Sequence, residues 1–112
     1  MMRRLLAVLA VLAAESLCAT PSATSGVRRA DFRIRDPFVL VDGGRYYLYE
    51  SKPWFGGRGV AVRESADLER WSEATPVLTL PPEMDCTAVW APEVHRYNGA
   101  YWLFVTLTQS TN

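Results

Sequence analysis

The chain is poor in the residues that build metal and redox sites. Its 112 residues include a single histidine, His95, and two cysteines, Cys18 and Cys86. One histidine cannot assemble a zinc site. Cys18 falls in the N-terminal segment expected to be removed as a signal, which leaves Cys86 alone and the chain without an internal disulfide staple. The longest apolar run, residues 5–14, is ten residues, too short to span a bilayer. Basic blocks are missing too: 12 Lys and Arg face 12 Asp and Glu, so nothing asks for nucleic acid or an anionic membrane surface. No serine or cysteine nucleophile has a paired histidine, and Gly56-Gly57-Arg58-Gly59 lacks the following helix that a phosphate-binding loop needs. No cofactor is expected from these residues.

The N-terminus has the layout of a secretory signal. Met1-Met2-Arg3-Arg4 is positive, the apolar run follows, and small residues surround Ser16 and Ala19. We read residues 1–19 as a signal peptide, 20–30 as a linker and 31–112 as the domain, in a secreted or periplasmic protein with no membrane attachment after cleavage. Removing Arg3, Arg4 and Glu15 leaves ten basic and eleven acidic side chains, a charge near −1. All aromatic residues (4 Trp, 5 Tyr, 4 Phe) lie beyond position 31. An aromatic-rich, charge-balanced secreted chain fits neutral ligands such as glycans.

A run of 16 residues repeats without gaps after 55 positions. Residues 36–51 read DPFVLVDGGRYYLYES and residues 91–106 read APEVHRYNGAYWLFVT. Pro37 matches Pro92, Val39 matches Val94, Gly44 matches Gly99, Tyr46 matches Tyr101 and Leu48 matches Leu103. A period near 50 residues built from strand–turn–strand units marks propeller blades. The copies differ where chemistry would sit: Asp36 replaces Ala91, while Glu93 and His95 stand where the first copy has Phe38 and Leu40.

Gly43-Gly44 and Asn98-Gly99, each between apolar runs, signal hairpins. Strands are expected at 38–41, 45–50, 59–63, 89–96 and 100–108, with a short outer strand within 72–78 and a long connection over 80–87. No helical periodicity survives beyond the N-terminal run, so the class is all-β. Residues 31–112 amount to about one and a half periods, whereas a propeller closes with roughly four to eight blades. A fragment, a truncated product or a piece that closes by assembling several copies is therefore expected.

Three segments point to one family. Ile34-Arg35-Asp36-Pro37-Phe38 ahead of a Gly-Gly hairpin resembles the opening of glycoside hydrolase family 43. Ser65-Ala66-Asp67-Leu68-Glu69-Arg70-Trp71 is similar to that family's recurrent blade ending, and Trp90-Ala91-Pro92-Glu93-Val94-His95 to its second-blade segment. The resemblance spans about residues 32–108 and implies the first two blades of a five-bladed β-propeller. It further implies hydrolysis of arabinan, xylan or similar plant-type glycosides with inversion. By motif Asp36 matches the family's general base; the general acid and a tuning carboxylate belong to later blades.

The residues themselves give a compatible reading. An inverting glycosidase needs two carboxyl groups about 6.5–9.5 Å apart, with a water held by the base. Asp36 starts an inner strand, and Pro37 is expected to hold its backbone extended; the bland alternative is a simple Asp-Pro turn. Glu93 is a substrate contact by motif, or an acid anchoring a turn. His95 is a ligand contact or a residue that orients its neighbour. Trp90 and Trp54, with Phe55, are candidates for stacking on sugar faces, whereas Trp71 and the tyrosine clusters fit packing. The expected partner is an oligo- or polysaccharide. A non-catalytic carbohydrate-binding β-module that assembles as an oligomer, or an inactive truncated product, are the other readings the sequence leaves open.

Overall fold

The computed structural model describes residues 8–11, 26–52 and 58–109. Among the described residues nine strands run in chain order: β1 (Val8–Val11), β2 (Val27–Arg28), β3 (Phe38–Asp42), β4 (Arg45–Lys52), β5 (Gly59–Ser65), β6 (Arg70–Trp71), β7 (Thr75–Thr79), β8 (Ala88–Tyr97) and β9 (Ala100–Thr108). The helical content of the described residues is one 3-10 turn, Arg29–Asp31. All pairings are antiparallel.

β3-β4-β5-β7 form one four-stranded blade, and β8–β9 form the inner half of a second. The 55-residue repeat holds at the level of the hydrogen-bond ladder. Asp42 faces Arg45 as Tyr97 faces Ala100, and Val39 faces Leu48 as Val94 faces Leu103. Both hairpins turn through two residues of positive φ, Gly43 (56°) with Gly44 (74°) and Asn98 (49°) with Gly99 (75°). That is the primed-turn geometry that matches strand twist, and it is why Gly and Asn stand there.

Side chains alternate across each strand, so the ladder decides which face meets which. Phe38, Leu40 and Tyr49 of the first blade pack against a core cluster that joins Val60, Leu80 and Cys86 to Val89, Val94 and Leu103 of the second. Each fully buried aliphatic side chain there contributes on the order of 1.5–3 kcal/mol. Polar groups fasten the same interface near the hairpin turns. The Tyr101 hydroxyl donates to the Asp42 carboxylate, and Arg96 sits 3.5 Å from that carboxylate.

The other face of the first blade is polar within. Arg63 Nε donates to Glu50 Oε1 at 3.0 Å with both side chains buried, and its Nη1 donates to the Ser72 carbonyl at 3.0 Å. The Phe32 ring lies 4.8 Å from the guanidinium. Residues read as a linker take part on this side: β2 pairs with β6.

The segment 65–71 shows why its residue types go together. Ser65 Oγ accepts from the backbone N–H groups of Asp67 and Leu68, and Asp67 Oδ1 accepts from those of Glu69 and Arg70. Leu68 adopts φ 66°, and Trp71, almost wholly buried, donates its indole N–H back to the Leu68 carbonyl. The outer strand starts at Thr75 and accommodates Pro76 at a bulge opposite Val60 and Ala61, a position where its missing N–H is tolerated. The connection 80–87 is held by Arg58, which donates to the carbonyls of Pro81, Met84 and Cys86 at 2.6, 2.9 and 2.5 Å.

Candidate active site

Asp36 lies at the entrance to β3, exposed to solvent. Its backbone corrects the extended geometry expected from the following proline: φ is 50°. Proline disfavours the right-handed helical region for the residue before it, but the small left-handed region stays available, and aspartate enters it more readily than most. Ala91, the matching residue before Pro92, has φ 45°, so the conformation belongs to the repeat position rather than to the aspartate. Among the described residues the Asp36 carboxylate has no hydrogen-bond or ion-pair partner.

Contacts on either side of Asp36 tie this entrance to the second blade. The Arg35 guanidinium lies 5.9 Å from the centroid of the Trp90 ring. Two residues beyond Asp36, the Phe38 ring lies 5.5 Å from the His95 ring. Asp36 is thus bracketed by two contacts to the 90–95 stretch, although 54 to 59 residues of chain separate the segments.

The 90–95 stretch is shaped by a bulge. Trp90 faces Thr106 and Glu93 faces Phe104, so β8 carries one more residue than β9 between these pairs. The extra length at Ala91-Pro92 kinks the strand and re-aims the side chains on either side, with Pro92 fully buried as the pivot. Trp90 is fixed by an indole N–H donated to Thr108 Oγ1 at 2.9 Å. Glu93 and His95, two apart and on one face, meet with Oε2 and Nε2 3.2 Å apart. An ionised carboxylate only accepts, so this bond requires the proton on Nε2. Both side chains keep more than half of their surface exposed. The His95 ring is held edge-on to Phe104, centroids 5.8 Å apart.

Asp36 therefore lies on a segment, 35–38, that contacts the 90–95 stretch carrying Trp90, Glu93 and His95. Trp54, with Phe55, lies outside the described residues. Trp71 is placed in packing rather than at the site. Sequence reading missed Arg35, Phe38 and Phe104 as supports of the site. The ladder signal was present for one of them, since Phe104 matches Tyr49, the cross-strand partner of Phe38. Among the described residues no group of three or more His, Cys, Asp or Glu is close enough to hold a metal ion. The two stretches offer an exposed carboxylate, an indole and a carboxylate–imidazole pair, groups whose chemistry can hold a water and a polyhydroxylated ring.

Comparisons with known proteins agree with this sheet. The family model for glycosyl hydrolases family 43 matches residues 30–112. The chain belongs to that family, and it comprises about two blades of the five-bladed β-propeller. It is 27% identical over 82 residues to the extracellular endo-α-(1→5)-L-arabinanase 1 of Bacillus subtilis (strain 168), covering 67% of this chain and 25% of that protein. It is 24% identical over 111 residues to the extracellular exo-α-(1→5)-L-arabinofuranosidase ArbA of Cellvibrio japonicus (strain Ueda107), covering 92% and 28%. The crystal structure of an endo-arabinase from Bacteroides thetaiotaomicron VPI-5482 superposes with a TM-score of 0.66 at 29% identity, over 78% of this chain and 30% of that one. The chain spans about a quarter of the length of these curated relatives.

Proposed function

We propose that this chain supplies the first two blades of a secreted glycoside hydrolase that cleaves arabinan-type polysaccharide with inversion. In this reading residues 1–19 are the signal peptide, and residues 31–112 begin the catalytic domain. Asp36 is the general base, Trp90 a stacking platform for a sugar ring, and Glu93 with His95 a hydrogen-bonding pair for sugar hydroxyls. The general acid falls on the remaining blades of the domain.

The observation that carries the reading is the bracketing of Asp36 by the Arg35–Trp90 and Phe38–His95 contacts. Those contacts join the segment that carries the exposed carboxylate to the stretch that carries an indole and a polar pair, which supports a base-activated water and a bound sugar there. The substrate class follows from the relatives, which are named for arabinan and arabinofuranosyl chemistry.

The test uses a polypeptide that unites this chain with blades three to five of a family domain. Asp36→Asn is expected to lower hydrolysis of linear arabinan by at least about a thousandfold while substrate binding is kept, because a general base is lost and a like-sized group remains. Retained activity in that variant would contradict the assignment.

A further inference from the structure

The outer edge of β9 is not bare. β1, from the N-terminal apolar run, pairs with it antiparallel, Val8 with Phe104, Leu9 with Leu103, Ala10 with Trp102 and Val11 with Tyr101. The repeat says what this slot is. In the first blade, the strand matching β9 is β4, whose outer edge is taken by β5, with Tyr46 facing Ser65, Tyr47 facing Glu64, Leu48 facing Arg63 and Tyr49 facing Val62. Shifting by 55 residues carries Tyr46, Tyr47, Leu48 and Tyr49 onto Tyr101, Trp102, Leu103 and Phe104. Val11 to Val8 therefore fill, position for position and in the same direction, the place of the third strand.

We propose that Val8–Val11 is a displaceable placeholder for the third strand of the second blade. β9 is nine residues long and rich in aromatic and aliphatic side chains, and an open edge of that kind is a template for pairing with any extended chain. A short stretch of Val, Leu and Ala with two β-branched ends has the chemistry to cover it. One edge accepts one strand, so β1 and any other third strand exclude each other. Loss of residues 1–19, as a signal peptide, would empty the slot; an attached leader would keep it closed and hold its own apolar run out of helical form. This inference does not depend on the catalytic reading, because it rests on the backbone ladder of β9 and not on any role of Asp36, Trp90, Glu93 or His95.

Amide hydrogen exchange on the full 112-residue chain tests it, with Leu9→Pro and Ala10→Pro as variants. Successive N–H groups along a strand point to opposite edges, so one of the two prolines removes a donor from the β1–β9 ladder. The amides within Tyr101–Phe104 that point away from β8 are expected to exchange at least about tenfold faster in that variant, with β3 and β4 amides unchanged. Unchanged exchange in both variants, with β3 and β4 still protected, overturns the proposal. Should either proline unfold the chain, the paired substitutions Ala10→Cys and Trp102→Cys decide the matter. A 10–102 disulfide under mild oxidation supports the placeholder, and its failure to form overturns it.

Discussion

Asp36 and Ala91 share a backbone conformation that neither side chain requires. Their φ angles are 50° and 45°, and each residue precedes a proline at matching positions of the repeat, Asp36 just ahead of β3 and Ala91 at the bulge within β8. The repeat imposes the positive φ twice, and only one of the two positions carries an acid. A conformation that costs a non-glycine residue roughly 1–2 kcal/mol is thus a scaffold feature, and the carboxylate at position 36 is an addition to it.

Ala91→Gly is accordingly expected to raise stability. Relief of the left-handed strain exceeds the greater chain entropy of unfolded glycine, leaving a gain of about 0.5–1 kcal/mol. Denaturant unfolding of the two chains measures it. A loss of stability would show that Ala91 is not strained.

Glu50 and Arg63 test the far face of the first blade. Their side chains are 1% and 9% exposed, 3.0 Å apart. Removing one partner leaves a buried charge, so Glu50→Ala is expected to cost about 3–5 kcal/mol. Replacing both, Glu50→Leu with Arg63→Met, is expected to recover most of that loss. Equal destabilisation by the single and double variants would contradict this.

The blades and the hairpins were legible in the sequence because turn residues, alternation and the repeat mark them. Gly43-Gly44 and Asn98-Gly99 specify the turns, period-two alternation specifies the faces, and a 55-residue shift specifies the register. Three features were not legible. The φ of Asp36 depends on how the inner strand enters the blade, which overrides the extended preference before Pro37. The pairing of Val27–Arg28 with Arg70–Trp71 joins segments too short and polar to carry a strand signal. The Arg58 clamp on the carbonyls of Pro81, Met84 and Cys86 depends on a loop path with no periodicity at all.

Asp67 makes the blade-ending turn sensitive to acid. Its carboxyl is held below the ordinary value of 3.8, first by the Arg70 backbone N–H and next by that of Glu69, with Ser65 assisting. A depressed acid stabilises the folded state above its unfolded pKa and loses that contribution as pH falls through the lower folded value. The melting temperature of the chain is therefore expected to exceed that of Asp67→Ala by a constant margin above about pH 5, and by less as pH falls below the ordinary aspartate range. A margin independent of pH would contradict the role of the ionised carboxylate.

Tyr101 gives the opposite dependence at the blade interface. Its hydroxyl titrates above the ordinary 10.0, chiefly because it donates to the Asp42 carboxylate, with burial and the charge of Asp42 adding and Arg96 opposing. A raised pKa means the contribution is present below the ordinary tyrosine value and is lost as pH rises through the folded one. Asp42→Asn is expected to bring the Tyr101 titration back toward 10, read from phenolate absorbance as the difference between chains with and without Tyr101→Phe. No downward movement would mean that the hydroxyl does not meet Asp42.

We propose that residues 35–38 of the first blade and 90–95 of the second share one carbohydrate-facing rim. The most direct test of that claim is the amide and indole spectrum of the isotopically labelled chain during titration with linear α-1,5-arabinotriose. The expected result is a concerted shift of residues 35–38 together with 90–95 and the Trp90 indole N–H, while β6 and β7 stay still. Shifts confined to one blade, or none at all at saturating sugar, would contradict it.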